Sequence, residues 1–582
     1  MPKIYIYFLS AILMCSFSID IQAAQANLQI LGVSADVKIN IQKRLSTVIK
    51  NKMLIDTHVR SHINQTIKET LRALGYYEPN ISFKLLPSST LRKYPLLTVN
   101  VIPGMPIKIA EEIVILRGMA RNDNDYRNLF RTGKPPIGSI LRHDDYENFK
   151  NSLNHLALRK GYFDAHYDKN QLRVSVPQHK AFWYIDYNSG PRYHFGKITF
   201  TGSQIREDFL QNLVPFKIGD SYAAHNLEEL ARRLSATGWF NSVAVIPEMG
   251  KINIKRMVPL HGFLTPRTKN TIEVGLGSAT DVGPHIQARW NKRWLNNKGH
   301  NFRIISDISI PEKNLKWTYK IPILKNPLEQ YYLLQGTIKH IHLNDTRSDA
   351  SAITVSQCWD YSSGWQWAIH LHGIYDHFTQ GNEINTAMLI YPSLTVDHTR
   401  SSDTLMMPVW GDSQHYSLDW SHSFWRSYTN FLIFKAHNVW IRTVKEDHRL
   451  IARIGLGWIM TKQFENIPPD LRFFAGGENS LRGYKYKGIA PQDATGKLTG
   501  ASKLATSSME YQYHIYGNWW IAIFIDLGAI MLNTHQDAIH SGAGCGIRWH
   551  SPIGPIKFDI ARPILQHNTH NMQLYIGLGP EL

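Results

Sequence analysis

The sequence predicts an α+β region of three repeats followed by an all-β transmembrane barrel of about 16 antiparallel strands. Three observations carry this prediction. A helix-then-glycine-aromatic pattern recurs three times before residue 264. Strict alternation of apolar and polar residues takes over from Asn270. A short apolar leader opens the chain.

The leader covers residues 1–26. Lys3 precedes an apolar run from Ile4 to Phe17, and small residues follow, among them Ala23, Ala24 and Ala26. That order reads as a secretory signal cleaved between Ala23 and Ala26. A membrane anchor would need ~20 apolar residues, more than the run supplies. Of the cysteines, Cys358 and Cys545 remain after the leader, too few for a disulfide scaffold; a bond between them and two free thiols both stay open.

Composition divides the remainder. Residues 27–264 hold 33 Lys+Arg against 20 Asp+Glu, an excess of 13, whereas residues 265–582 hold 30 against 25. Tryptophan runs the other way, with 14 of 16 after residue 264. The boundary falls near "HGFLTPRTKNT". The basic excess suits acidic partner surfaces or anionic lipid headgroups, or simply solvated lysines.

In the first part, Gly75-Tyr76-Tyr77, Gly161-Tyr162-Phe163 and Gly238-Trp239-Phe240 each follow leucines spaced three and four apart. Such spacing marks an amphipathic helix, and the glycine marks its end at positive φ. The aromatic that follows is expected to pack back onto the last turn. Strands are expected to open each unit at Leu28–Val33, Ile107–Leu116 and Lys197–Thr201. Others close them at Leu96–Ile102, Ala181–Tyr187 and Ile252–Val258. The repeats therefore span 27–105, 106–195 and 196–264, each a small sheet covered by helices.

In residues 265–582, "TIEVGLG", "NLKWTYKIPI", "HYSLDWS" and "NMQLYIGLG" alternate with period two, the signature of strands with one apolar face. A soluble sandwich would alternate too. The leader, the Trp and Tyr excess and strands of ~10 residues favour a membrane barrel with aromatic girdles.

No catalytic constellation is visible. In "GGENSLRGY" the spacing Gly477 to Gly483 is one too long for a phosphate loop and Tyr484 follows, so that chemistry is rejected. G-x-S-x-G, H-E-x-x-H and C-x-x-C are absent from the sequence. His340/His342 and His370/His372 share strand faces, where solvated or girdle positions explain them better than a metal. No enzyme activity, metal or cofactor is expected. Arg482 then stands as a fixed charge on a loop shaped by Gly476, Gly477 and Gly483. Strand parity supplies its partners. In "IAIFIDLGAI" the apolar face leaves Asp526 on the polar face with Phe524 and Gly528, and in "SMEYQYHI" it leaves Glu510 there with Gln512. Arginine suits a bidentate carboxylate contact, so the loop is expected to fold into the lumen and dock through Arg482 on Glu510 and Asp526.

These features together resemble the POTRA-plus-barrel outer-membrane assembly superfamily. Its R-G-[FY] loop motif falls on Arg482, Gly483 and Tyr484, and its wall partners on Glu510 and Asp526. Three POTRA-like repeats, "WGDSQHYS", "PPDLRFFAGGENSLRGYKYKGIAP" and the ending "YIGLGPEL" are similar to the TamA-type branch, the outer-membrane subunits of translocation and assembly modules. The resemblance implies a barrel in the outer membrane with POTRA repeats in the periplasm. It also implies a lateral seam between first and last strands, here at Ile272, Gly275 and Gly277 against Leu574 and Gly577. The implied function is insertion of client β-barrel proteins such as autotransporters. A TamB-like inner-membrane-anchored protein would bind the repeats, with client proteins and outer-membrane lipid as the other partners, and no nucleic acid. A two-partner-type secretion pore and a lipid-transfer conduit are the alternatives.

Overall fold

Each repeat folds as one strand, two helices and two strands. The first has β1 (Leu28–Leu31), α1 (Ala35–Val48), α2 (Thr57–Ala73), β2 (Asn80–Leu86) and β3 (Leu96–Ile102). The second has β4 (Lys108–Arg117), α3 (Asn124–Thr132), α4 (His143–Lys160), β5 (His166–Ser175) and β6 (Lys180–Asn188). The third has β7 (His194–Thr201), α5 (Glu207–Gln211), α6 (Ala224–Ala236), β8 (Phe240–Pro247) and β9 (Met257–Pro266). In every sheet the last strand is central: β1-β3-β2, β4-β6-β5 and β7-β9-β8. This computed structural model describes residues 28–48, 57–86, 96–252, 254–279, 283–402, 408–532, 538–551, 554–565 and 572–578. The leader expected over 1–26, with its cleavage site, lies outside them.

The second repeat shows why these sequences fold locally. Helix α4 buries Tyr146, Phe149, Leu153 and Ala157, one stripe at helical spacing. Asp144 and Asp145 sit in its first turn and Arg159 and Lys160 in its last, matching the helix dipole. It ends at Gly161 with φ 77°, and Gly75 and Gly238 end α2 and α6 at φ 90° and 71°, as the sequence pattern requires. Trp183 of β6 is fully buried beneath the stripe, 5.1 Å edge-on from Tyr146.

Tyr76 packs against the core of its own repeat, as expected of the aromatic after the glycine. Tyr162 turns back into its own core, but the next ring reaches the following module. Tyr77 hydrogen-bonds His143 of the second repeat at 2.7 Å, and Phe163 packs 4.9 Å from Tyr222 of the third. In the third repeat Trp239 itself does this: its indole N–H donates to the Gly299 carbonyl at 3.1 Å. A Cβ at Gly299 would stand 2.3 Å from that ring. The signature is thus a helix stop and a joint in one.

A second correction concerns β9, which occupies Met257–Pro266 rather than Ile252–Val258. Arg256 at φ 56° turns the chain just before it, so the strand cannot start earlier.

Sixteen antiparallel strands follow. They are β10 (Asn270–Ala279), β11 (Gly283–Lys292), β12 (Asn301–Ser309), β13 (Glu312–Pro322), β14 (Gln330–Leu343), β15 (Thr346–Asp360), β16 (Trp365–Gln380) and β17 (Glu383–Ser401). The second eight are β18 (Trp410–Ser421), β19 (Phe431–Val444), β20 (His448–Thr461), β21 (Lys503–Tyr516), β22 (Trp519–Met531), β23 (Ala538–Ser551), β24 (Gly554–Pro563) and β25 (Gln573–Leu578). Each pairs with its sequence neighbours in one 16-stranded sheet. Strands β10 and β25 come within 8 Å of each other, Cα to Cα, which closes the sheet into a barrel.

The period-two pattern sorts the faces. Ile521, Ile523, Ile525 and Leu527 are exposed outward, while Ala522, Phe524 and Asp526 are buried inward. Exposed Trp367, Trp410 and Trp519 mark one rim, and Trp420 and Trp458 the opposite one, giving two aromatic girdles. No described helix is long and apolar enough to cross a membrane. Cys358 and Cys545 are both unpaired.

Candidate functional site

The chain between β20 and β21, residues 462–502, is the long loop that carries Arg482. It turns into the barrel and carries an apolar core with it. Leu471, Phe473, Ala475, Leu481 and Ile489 of the loop cluster with Leu389, Tyr391, Phe431, Ile433 and Ile459 of the wall. Arg472 holds the loop's own shape, donating to the carbonyls of Ile467, Thr499 and Glu465 at 2.7–2.8 Å. On the wall side, Gln380 donates to the Leu498 carbonyl at 2.7 Å, and Lys339 pairs with Asp470 at 3.0 Å.

At the loop tip Arg482 is 1% exposed. Its Nε donates to Asp526 Oδ2 at 2.8 Å and its Nη2 to Asp526 Oδ1 at 2.9 Å, a bidentate fork. Its backbone N–H adds a third bond to Asp526 at 2.9 Å. Nη1 donates to Glu510 Oε2 at 2.7 Å and to Asp559 Oδ2 at 3.3 Å, and Nη2 to Ser508 Oγ at 3.1 Å. The guanidinium carbon lies 3.3 Å from the centroid of the Phe524 ring, a cation–π contact at a buried site. Burial opposes the Arg482 charge, but Asp526, Glu510 and Asp559 outweigh it and raise its pKa above the ordinary guanidinium value.

Glu510 and Asp526 therefore meet Arg482 where strand parity places them, and two further charged groups join that the sequence reading did not single out, Arg548 and Asp559. Arg548 of β23 donates to Glu510 Oε1 at 2.8 Å and to Asp559 Oδ2 at 3.1 Å. Asp559 of β24 bridges the two arginines. Two guanidinium groups thus interleave with three carboxylates. The sequence did carry a signal: Gly542, Gly544 and Gly546 of β23 stand at every second position. Their registers oppose Asp526, Phe524 and Ala522, so they face the lumen. A Cβ on Gly542 would lie 1.8 Å from the Arg482 carbonyl oxygen, and one on Gly544 2.6 Å from the Phe524 ring. The strand is stripped to backbone where the loop tip seats.

Of the other loop residues, Gly476 and Gly477 have φ of 105° and 103°. Gly477 N–H donates to the Tyr484 carbonyl at 3.2 Å, closing the tip into a short hairpin. Gly483 lies against Arg562 and Pro563, its Cβ position 2.8 Å from backbone. Tyr484 donates through its hydroxyl to the Ser541 carbonyl at 3.3 Å.

The seam residues sit at the two ends of the sheet. Among the described residues β10 pairs with β11 and β25 with β24, and no ladder joins β10 to β25. Ile272, Val274 and Leu276 face outward and are 69–80% exposed, against 45–59% for Ile521 to Leu527. Leu574 also faces outward. The three glycines differ. Gly275 has open space, and Gly277 faces the His285 ring. Gly577 lies under the Glu478 carboxylate, 2.3 Å from where its Cβ would be. It is therefore a seat for a loop side chain rather than a bare position.

The neighbouring Tyr575, which the sequence reading did not single out, ties this strand to the loop. Its hydroxyl accepts from Gly483 N–H at 2.9 Å and donates to the Tyr484 carbonyl at 2.6 Å. Tyr575→Phe is expected to leave the buried Gly483 N–H without its acceptor and the Tyr484 carbonyl with Gly477 N–H alone, at about 1–3 kcal/mol. Hydrogen exchange should then quicken in the β25 amides, with β14–β17 unchanged; unchanged β25 protection would show that the tie carries no stability.

The sequence and fold have counterparts among known proteins. Residues 300–581 match the Omp85 superfamily domain, residues 27–103 the POTRA domain TamA domain 1, and residues 193–273 the POTRA model described as a surface antigen variable number repeat. Over 125 residues the chain is 27% identical to the outer membrane protein assembly factor BamA of Nitratidesulfovibrio vulgaris, a stretch covering 20% of this chain and 16% of that relative. The structure of BamA from Haemophilus ducreyi lacking POTRA domains 1–3 is similar with a TM-score of 0.69 at 14% identity, over 81% of this chain and 99% of that one. At that identity the likeness shows the fold.

Proposed function

We propose that this Omp85-superfamily protein, an outer-membrane barrel with periplasmic POTRA domains, assembles client β-barrel proteins by templating their strands at the seam between β10 and β25. The carrying observation is that the two end strands lie side by side without a ladder. An unpaired strand edge presents a row of N–H and C=O groups that an incoming strand can bond. In lipid those groups have no other partner, so the edge favours a client strand strongly. A wall shorter at the seam than the bilayer is thick would thin the adjoining lipid and lower the barrier to insertion. No covalent step is required.

Within the superfamily the TamA-type reading is supported by the match of residues 27–103 to a TamA-type POTRA domain. On that reading the clients include autotransporters, and a TamB-like inner-membrane-anchored protein binds the repeats. The test is a set of cysteine pairs, one residue from Thr271–Gly277 and one from Gln573–Leu578, in a background lacking Cys358 and Cys545. Oxidation should stop assembly of a client barrel in proteoliposomes, and reduction should restore it. A barrel locked shut that still assembles its client would rule the seam out.

A further inference from the structure

The outer faces of the repeat sheets are not equivalent. In the first repeat the central strand turns Thr98 and Asn100 outward, opposite Gln29 and Leu31 on one side and Lys84 and Ser82 on the other. That surface is mainly polar, as a solvated sheet face should be. In the second repeat the central strand β6 buries Ala181, Trp183, Ile185 and Tyr187, which turns Lys180, Phe182, Tyr184 and Asp186 outward. On β4, Ile113 stands opposite Tyr184 and Ile115 opposite Asp186, and both isoleucines are about 40% exposed (39% and 43%). Four apolar side chains thus form one patch on the face that the helices do not cover.

The charges around it have one prevailing sign. Lys108, Lys180, Arg173, Lys169 and Arg117 frame the patch by register, against Glu111 and Asp186. Lys169 Nζ lies 4.5 Å from the Tyr184 ring centroid and the Arg173 guanidinium 5.1 Å. Arg117 pairs with Asp186 at 2.6 Å. Lys169 and Arg173 are thus held against the apolar centre of the face. Three strands at ~4.8 Å spacing are ~10 Å across, the diameter of one α-helix.

We propose that this face docks an acidic amphipathic helix of a partner protein, its apolar stripe on Phe182, Tyr184, Ile113 and Ile115 and its carboxylates on Lys169, Arg173 and Lys180. The two acidic residues within the face fit a protein partner, which carries charges of both signs, better than a uniformly anionic lipid surface. The recognition mode is that of a helix laid on an apolar surface, and it is independent of how the seam works.

The probe is a pair of synthetic helical peptides of about 18 residues, five turns, with the same leucine stripe and either glutamate or lysine at the polar positions. Binding is followed by fluorescence anisotropy on the full chain in zwitterionic nanodiscs. The glutamate peptide should bind at least about tenfold tighter than the lysine peptide. Tyr184→Ser should weaken it by about tenfold or more, and the Lys169→Glu/Arg173→Glu pair should reverse the preference. Because Lys169 and Arg173 are exposed, that pair keeps the test valid even where Tyr184→Ser disturbs folding. Equal binding of both peptides, or binding unaffected by either change, overturns the proposal. So does recruitment of the repeat region to phosphatidylglycerol vesicles through these same residues with no competition from the glutamate peptide, which would make the face a membrane contact.

Discussion

Arg482→Ala is expected to destabilise the barrel by about 3–5 kcal/mol, the range for removing one partner of a buried ion pair. The arginine satisfies Asp526 with three hydrogen bonds and shares Glu510 and Asp559 with Arg548. Without it, three carboxylates remain around one guanidinium, all 1% exposed. Water entering the vacated space would solvate part of this charge, which sets the lower end of the range. Arg482→Lys should fall between alanine and the native residue. A lysine ammonium is a point charge and cannot place donors on Asp526, Glu510 and Ser508 together. Urea unfolding in detergent reads stability, and client assembly in proteoliposomes reads function. A midpoint within about 0.5 kcal/mol of the native chain, the scale of an ordinary surface change, would mean that the tip is not anchored by this charge.

Gly542→Ala should produce a comparable loss by a different route. The added methyl would stand 1.8 Å from the Arg482 carbonyl oxygen, and backbone on both sides cannot move aside without displacing the loop tip. Alanine ordinarily improves on glycine in a strand interior, so destabilisation here can arise only from the lost seat. Gly275→Ala, where a Cβ meets nothing within 4 Å, is the matched control and should be neutral or stabilising by up to about 1 kcal/mol. Because Gly542 and Arg482 act on one docking event, the double variant should lose much less than the sum of the two. Strict additivity in the unfolding midpoints would separate the two residues and break the seat-and-anchor account.

The pairing of Arg482 with Glu510 and Asp526 was legible because strand parity is a local property. Alternation along "IAIFIDLGAI" and "SMEYQYHI" decides which side chains face the lumen, whatever the partners are. Asp559 has the same parity in "PIKFDIA", yet nothing local says that β24 stands beside the loop tip. Phe524 looked like an apolar residue misplaced on a polar face; its use is visible only once the guanidinium lies over it. The apolar patches of the lumen, such as Leu389, Tyr391 and Ile433, were likewise hidden, since a polar lumen is the default reading and they serve the loop core.

By itself, then, the sequence determined the repeat count, the helix stops at Gly75, Gly161 and Gly238, the change from period 3.6 to period two, and the two faces of each strand. Each of these depends on residues within about ten positions of one another. Tertiary structure alone decided that the loop tip seats on the glycine row of β23, that Tyr575 and Gly577 tie β25 to it, and that β10 and β25 meet without pairing. Those outcomes join residues from 60 positions apart, Arg482 and Gly542, to about 300, β10 and β25. They follow from the closure of a 16-stranded sheet, a geometry that no short stretch of chain contains.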